Sequence, residues 1–468
     1  MKYFLGLVLI FTFTSARAQQ FSHFNTGTLF DAFENPAQRA FVPDSSRQFA
    51  FNFFFPNLGA TSILTGNAQA SVNSLIKKDV YNSANLTNGL GNLNNLRVAS
   101  DSYWFMLKMY NRLDGDQEFG LSAQTKAEGH GSVTDETLLL LDSYKNFDNG
   151  KLNQDLFNDF LEGQAYHQFS LTFQKKIDAN VAFGLKLSTL LGIYYNKLDI
   201  EHSSFAVNQD NTKANLFLQG KYQSNYYGTY RKRDILGLKN PGAAVSFGLQ
   251  AQLDNGLLLQ GNLKDLGFIR WNKSAVTYNF SGTQNINRVT GSTQNDTRVL
   301  TATDSLTSIN GSQHAFYTPI NGKVDLAISK KFVLVPDFSL TPNLIVSKEL
   351  FYNGLTAALV NHFTYRNLWV TALASYNQDR AWSAGGQLMY KSPNVEFYVG
   401  TEQLFQSARF LKTSSANYNS TGINAFIGFS AKFGRFIEHP ANASTIPMGE
   451  EKGFFDRMWT RIFKRSYY

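Results

Sequence analysis

Among the side chains able to do chemistry, the seven histidines come first: His23, His130, His167, His202, His314, His362 and His439. None is paired at a metal-ligating spacing, and no Gly-x-Ser-x-Gly elbow accompanies them. Glu128, His130 and Asp135 can be drawn together as a cation site in a loop, although such clusters are mostly just hydrated. His362 beside Thr364 and Ser375 is the one neighbourhood that offers a Ser–His nucleophile pair on adjacent strands. No phosphate-cradling glycine loop is present. The chain therefore reads as a non-enzyme, with no catalytic residue, metal or cofactor assigned.

The polar residues that do recur are amides and charges at every second position of apolar segments. Lys126, Lys186, Gln250, Gln252 and Lys264 lead the set, with Gln124, Gln168, Gln174, Gln260, Asn262, Gln387 and Glu396. Such a mixed lining suits a water-filled or plugged pore, the alternative for each residue being a solvated inner face without selectivity.

The elements that would position them are strands. In residues 242–266, Ala243, Val245, Phe247, Leu249, Ala251 and Leu253 alternate with Ala244, Ser246, Gly248, Gln250 and Gln252. Asp254-Asn255-Gly256 supplies a tight reversal, and Leu257, Leu259, Gly261 and Leu263 resume the alternation. Each arm has the 9 to 11 or so residues that a tilted membrane-spanning strand needs. The fold class expected is all-β: a closed antiparallel transmembrane β-barrel of about 14–16 strands. Closure is obligatory, because an open edge in hydrocarbon leaves rows of N–H and C=O groups unpaired.

Composition agrees: aromatics are 15% and charged residues only 17% of the chain, with 41 Phe and 22 Tyr. A soluble two-sheet protein of this length would carry more surface charge. Lys2, an apolar core over residues 4–14 and Ala16-Arg17-Ala18 form a leader, residues 1–18, with cleavage expected before Gln19. Export to the outer membrane, with outer-membrane lipids around the barrel, follows. The absence of cysteine excludes both a lipid-anchored cysteine after the leader and a disulfide scaffold. The formal charge of +8 forms no basic stripe and accompanies no nucleic-acid motif, so no nucleic-acid partner is expected.

Residues 19–47 read as a strandless segment around Asn35-Pro36-Ala37, either a plug in the lumen or a strap on the periplasmic rim. The barrel runs over residues 48–434. Strand candidates fall at 48–55, 102–111, 118–128, 165–177, 181–195, 274–282, 321–329, 338–348, 354–364, 368–376, 382–390, 394–402 and 421–434, beside the central hairpin. Residues 197–230 form either a hairpin above the membrane or an extension of two strands. Parity then sets the long connections 56–101, 129–164, 283–320 and 403–420 outside and the short turns inside. The second long connection holds two helix-like pieces, TDETLLLLDSY, with Thr134 or Asp135 as cap, and DLFNDFLEG. Residues 435–468 read as a periplasmic tail with a short helix. Its apolar face is Phe454, Met458, Trp459 and Ile462, lying on the inner leaflet or packed under the barrel mouth.

At Asn35-Pro36-Ala37, Phe51 to Phe55, Asn240-Pro241-Gly242 and Leu266 to Trp271, the chain resembles a Gram-negative outer-membrane family catalogued as a domain of unknown function. More distantly it is similar to the long-chain fatty-acid transporter barrels and to the shuttle barrel of type IX secretion, which share an Asn-Pro-Ala motif near the N-terminus. The resemblance implies a barrel with its N-terminal segment folded into the lumen and, in the fatty-acid branch, a hydrophobic ligand passing through the wall. The last strand also resembles the signal read by the barrel-assembly machinery, with Gly428, Ala431 and Phe433 in place but Phe426 where a polar residue is preferred. The expected function is a channel or transporter for a small hydrophobic molecule. The alternative is a structural or secretion-associated barrel whose tail docks a periplasmic protein.

Overall fold

The computed structural model describes residues 20–38, 47–111, 117–148, 150–210, 212–226, 238–287, 298–352, 354–378, 381–411 and 420–436. They form a closed, antiparallel barrel of 14 strands. Strand β1 is built in two pieces, Arg47–Phe51 and Asn57–Thr65, both lying between β2 (Leu93–Asn111) and β14 (Ser420–Phe436). Around the wall follow β3 (Gln117–Thr134), β4 (Phe160–Lys176), β5 (Val181–Val207), β6 (Pro241–Gln252) and β7 (Leu257–Trp271). Next come β8 (Phe316–Pro319 with Lys323–Lys330), β9 (Phe338–Glu349), β10 (Leu355–Tyr365), β11 (Leu368–Asn377), β12 (Trp382–Lys391) and β13 (Val395–Thr401), which pairs with β14. The described helices are α1 (Leu29–Glu34), α2 (Gln69–Lys78), α3 (Asp135–Asp142), α4 (Arg298–Thr307) and α5 (Leu404–Leu411).

Alternation decides which way each side chain faces. In β4, Phe169 and Leu171 are 40% and 51% exposed while Gln168 and Ser170 are at 0% and 5%. The same pattern turns Leu187, Leu249, Leu326, Leu344, Leu359 and Leu388 outward, giving an apolar outer surface. The β6–β7 reversal closes at Gly256, whose φ of +77° a side chain would resist. It sets Gln250 opposite Gln260.

Three expectations are corrected. The first strand does not run unbroken over 48–55. Asn52 exchanges bonds with Met106 (N to O 3.2 Å; Oδ1 from N 3.0 Å) and Phe53 and Phe54 take positive φ, so the chain bulges before resuming as Asn57–Thr65 inside the supposed outer connection. Residues 274–282 are not a wall strand. Val276–Asn287 pairs with Lys213–Ser224, which pairs with the upper half of β5, and these form a cap sheet at the long-loop end. With those two segments in the cap, the wall has 14 strands, within the 14–16 expected. Finally, DLFNDFLEG is not helical: Phe157 is buried in the cap and residues 160–163 already belong to β4.

The cap has its own apolar core, in which Leu139, Tyr144, Phe147, Phe157, Phe205 and Phe280 pack together. Helix α3 is capped by Thr134, whose Oγ1 accepts from the Thr137 N–H. The carboxylate of Glu136 gathers the N–H groups of Gly89, Leu90 and Gly91 at 2.8–3.0 Å, which folds the Asn-rich connection onto the helix. Asp159 accepts from the Thr134 N–H (2.9 Å) and the Thr137 hydroxyl (2.7 Å), and burial pushes its carboxyl up to about 7. The fold thus favours the neutral acid. Its contribution is complete below the unfolded value near 4 and is lost as pH rises through about 7, on the order of a few kcal/mol. Amide exchange in α3 is expected to quicken from pH 4 to pH 8 beyond its intrinsic rate, and Asp159→Asn to abolish that extra dependence. An equal pH response in both proteins would refute it.

Candidate functional site, the occupied lumen

Residues 20–38 lie inside the barrel. Thr28 caps α1 by accepting from the Asp31 N–H (3.2 Å), while the Asp31 carboxylate reaches back to the N–H groups of Thr26 (3.0 Å) and Gly27 (3.2 Å). This local closure lets a six-residue helix form with no strand partner. Leu29, Phe30 and Phe33 are buried against Tyr103, Met106, Met389, Tyr398 and Phe426 of the wall. Phe426, the departure from the assembly signal, is therefore part of the seat. The N-terminal end of α1 meets Glu396, which accepts from the Leu29 N–H at 2.9 Å and is held by Lys432 at 2.9 Å and Ser430 at 2.7 Å.

Asn35-Pro36-Ala37 follows α1 and sits in a slot of missing side chains. Gly184 on β5 and Gly248 on β6 are direct cross-strand partners. A methyl on Gly184 would overlap the Pro36 carbonyl, and one on Gly248 would lie 2.8 Å from the Ala37 nitrogen. On β3, a methyl at Gly120 would stand 2.9 Å from the Phe33 ring. Asn35 Oδ1 accepts from the Ala37 N–H at 3.1 Å and so holds the turn.

Wall lysines and amides bind the segment's backbone and its few polar side chains. Glu34 pairs with Lys264 and accepts from the Tyr103 hydroxyl at 2.7 Å; Lys186 donates to the Phe33 carbonyl at 3.2 Å. Gln250 and Gln260 both donate to Gln38 Oε1 at 2.6 Å. Lys126, Lys186, Gln250 and Lys264 are buried in the lumen, and Gln252 is half-buried at the end of β6. Asp265 was not among the sequence candidates, yet it joins two of these lysines. It stands at a bulge in β7 with φ +50°, which turns two successive residues, Lys264 and Asp265, inward. Its carboxylate meets Lys126 at 2.5 Å, Lys186 at 3.5 Å and Gln168 at 2.9 Å. The sequence signal was the break in alternation at Lys264-Asp265-Leu266.

Toward its start the segment turns apolar. Phe21, with Phe24 beside it, covers an inner-wall patch of Ala327, Ile345, Ala358, Val360 and Leu373. Beside Glu34 and Asn262, a void of only about 20 Å³ remains.

The two catalytic or metal sketches do not assemble. Asp135 is taken up by Asn67, Thr87 and Asn94 in the cap, Glu128 accepts from Gln164, and His130 stacks on Tyr352. His362 must donate Nε2–H to the Phe24 carbonyl (2.9 Å), so its Nδ1 accepts from Thr371 (2.8 Å), while Ser375 lies opposite Ala358, several residues along the ladder. Phe454, Met458, Trp459 and Ile462, with the rest of the tail beyond 436, lie outside the described residues, as does the leader.

Strand closure, an outward-facing apolar surface and an occupied lumen together define a plugged transmembrane β-barrel. The chain belongs to the Family of unknown function (DUF5723), whose pattern matches residues 40–402. No curated protein matches it by sequence. Among solved structures it is similar to the Pseudomonas putida toluene transporter TodX, at 9% identity and a TM-score of 0.43, over 86% of this chain and 94% of that one. A Pseudomonas aeruginosa FadL homologue matches at 11% identity and a TM-score of 0.42, over 90% and 96% of the two chains. The translocator domain of the Neisseria meningitidis autotransporter NalP matches at 7% and 0.34, over 84% and 91%. Likeness at this level transfers no ligand or residue role, and the fold rests on the strand pairing itself. The similarity to the type IX shuttle barrel rests on the sequence motif alone.

Proposed function

We propose that this protein is an outer-membrane channel for small hydrophobic molecules whose lumen is closed by residues 20–38. The short-turn end faces the periplasm, the barrel-assembly machinery inserts the chain after leader cleavage, and outer-membrane lipid surrounds it. The observation that carries the reading is the inner-wall patch of Ala327, Ile345, Ala358, Val360 and Leu373 under Phe21. An apolar lining inside a barrel has no role in an aqueous pore, and the two phenylalanines occupy it as a hydrophobic ligand would. The polar grip on the rest of the segment, through Lys186, Lys264, Gln250 and Gln260, holds it without sealing it covalently.

A second reading, a structural barrel that docks other proteins through its tail, is favoured by the near-complete filling of the lumen beside Glu34. Planar-bilayer recording separates the two. Deleting residues 20–38 is expected to turn a silent barrel into one with stepwise conductance, while heat-modifiable mobility shows that it still assembles. Silence in both forms would sink the plugged-channel reading and leave the docking barrel.

A further inference from the structure

The cap sheet has a second face. In Lys213–Ser224 the side chains of Leu216 and Leu218, and in Val276–Asn287 those of Phe280 and Ile286, turn into the cap's apolar core. The odd-numbered side chains of the first strand and of the second turn the other way. There Asn215, Asn279, Ser281, Thr283 and Asn285 are exposed and Phe217 is half-buried.

Three cross-strand rows lie side by side on this face. The middle one runs Gln154, Ser204, Phe217, Thr283, from the short strand Leu152–Gln154 through the upper half of β5 to the two cap strands. One flank carries Asn215 opposite Asn285, the other Gln219 opposite Ser281. Phe217 is thus a single ring with hydroxyls beside it along its own row and amides on both flanks. Among the described residues, none of Asn215, Gln219, Ser281 and Asn285 bonds through its side chain to another residue. The lumen amides differ, since Gln250 and Gln260 are engaged with Gln38 of the plug. Opposite charges face each other on the next row, where Asp199 stands across from Lys221.

We infer that this face is a binding platform for a neutral oligosaccharide stretch of an extracellular polysaccharide. A pyranose presents an apolar face of C–H groups and a rim of hydroxyls that each donate and accept. A phenyl ring takes the first by stacking. Primary amides and hydroxyls, which also donate and accept, take the second. Neighbouring strands stand about 4.8 Å apart, close to the length of one pyranose unit, so a glycan laid along the middle row meets one strand per sugar. The flanking rows lie two residues away along the strands, about 6.7 Å, within reach of the hydroxyls of a ring stacked on Phe217. An acidic polysaccharide needs a basic face, and the opposed Asp199 and Lys221 leave none. A protein partner needs a broader apolar centre than one ring. The face stands at the long-loop end, which the orientation proposed above puts outside the cell, and its chemistry does not depend on whether the lumen conducts.

The test uses the full chain purified from outer membranes in lauryldimethylamine oxide, a detergent without a sugar headgroup. Cellohexaose, mannohexaose and maltohexaose are titrated in turn, and binding is followed by saturation-transfer NMR. At least one is expected to bind with a Kd of about 1 mM or tighter, and Phe217→Ala to weaken it by about tenfold. Should that variant fail to assemble, Asn215→Ala with Asn285→Ala, both on the exposed face, is expected to weaken the same titration by about tenfold. No transfer to any of the three hexasaccharides overturns the platform, as does equal affinity in the wild type and whichever variant assembles. Binding of purified lipopolysaccharide with none of the hexasaccharides assigns the face to the surrounding leaflet and overturns the polysaccharide reading.

Discussion

Replacing Asp265 by alanine is expected to lower barrel stability by about 3–5 kcal/mol, the usual cost of removing one partner from a buried charge group. Asp265, Lys126 and Lys186 are all at 0% exposure, and the Asp265 carboxylate is the shared partner of both ammonium groups. Alanine leaves two like charges facing each other across β3 and β5, and it must also take up the φ of +50° that aspartate tolerates better. Asp265→Asn keeps the backbone preference and a hydrogen-bonding oxygen, so its loss is expected to be smaller. The measurement is the urea midpoint of the refolded protein in detergent, followed by tryptophan fluorescence and heat-modifiable mobility. If alanine and wild type unfold at the same urea concentration, water reaches the two lysines and they are not a buried cluster.

Replacing Gly184 by alanine is expected to unseat the plug while sparing the barrel. The added methyl meets the main chain of Pro36 and Ala37, and backbone cannot swing aside as a long side chain can. Overpacking of this kind costs about 1–3 kcal/mol, roughly a 5–150-fold shift toward the displaced state. Amide exchange over residues 29–38 should quicken by that factor, and brief conductance steps should appear in planar bilayers. Gly261→Ala is the control, because its methyl would meet only Leu326 at 3.8 Å. Equal protection in Gly184→Ala and wild type would mean that the motif has room to spare, and the glycine slot would lose its meaning.

What could be read directly was whatever depends on near neighbours in the chain. The two-residue period in β4, β6 and β7, the Asp254-Asn255-Gly256 reversal and the Thr134 cap are local, and they appear in the fold at the expected positions. The same period set the inward side of Gln168, Gln250 and Lys264, because a closed barrel has only two faces. Alternation alone, however, does not distinguish a wall strand from a strand of the cap. Lys213–Ser224 and Val276–Asn287 alternate as wall strands do, yet the first pairs with the overhang of β5 and the second with the first, and only pairing partners tell cap from wall.

The site depended on long-range register. Asn35-Pro36-Ala37 was legible as a break from regular pairing, but its seat is made where Gly184 and Gly248, distant in the chain, come opposite one another. Asp265 faces the lysines because a bulge shifts β7 by one residue. In physical terms, the sequence by itself determined local geometry and the sidedness of strands, since backbone sterics and the burial of alternate side chains act over a few residues. Tertiary structure alone decided which strands share the wall, where the glycine slot lies and what fills the lumen, since those depend on contacts whose partners are named only when the barrel closes.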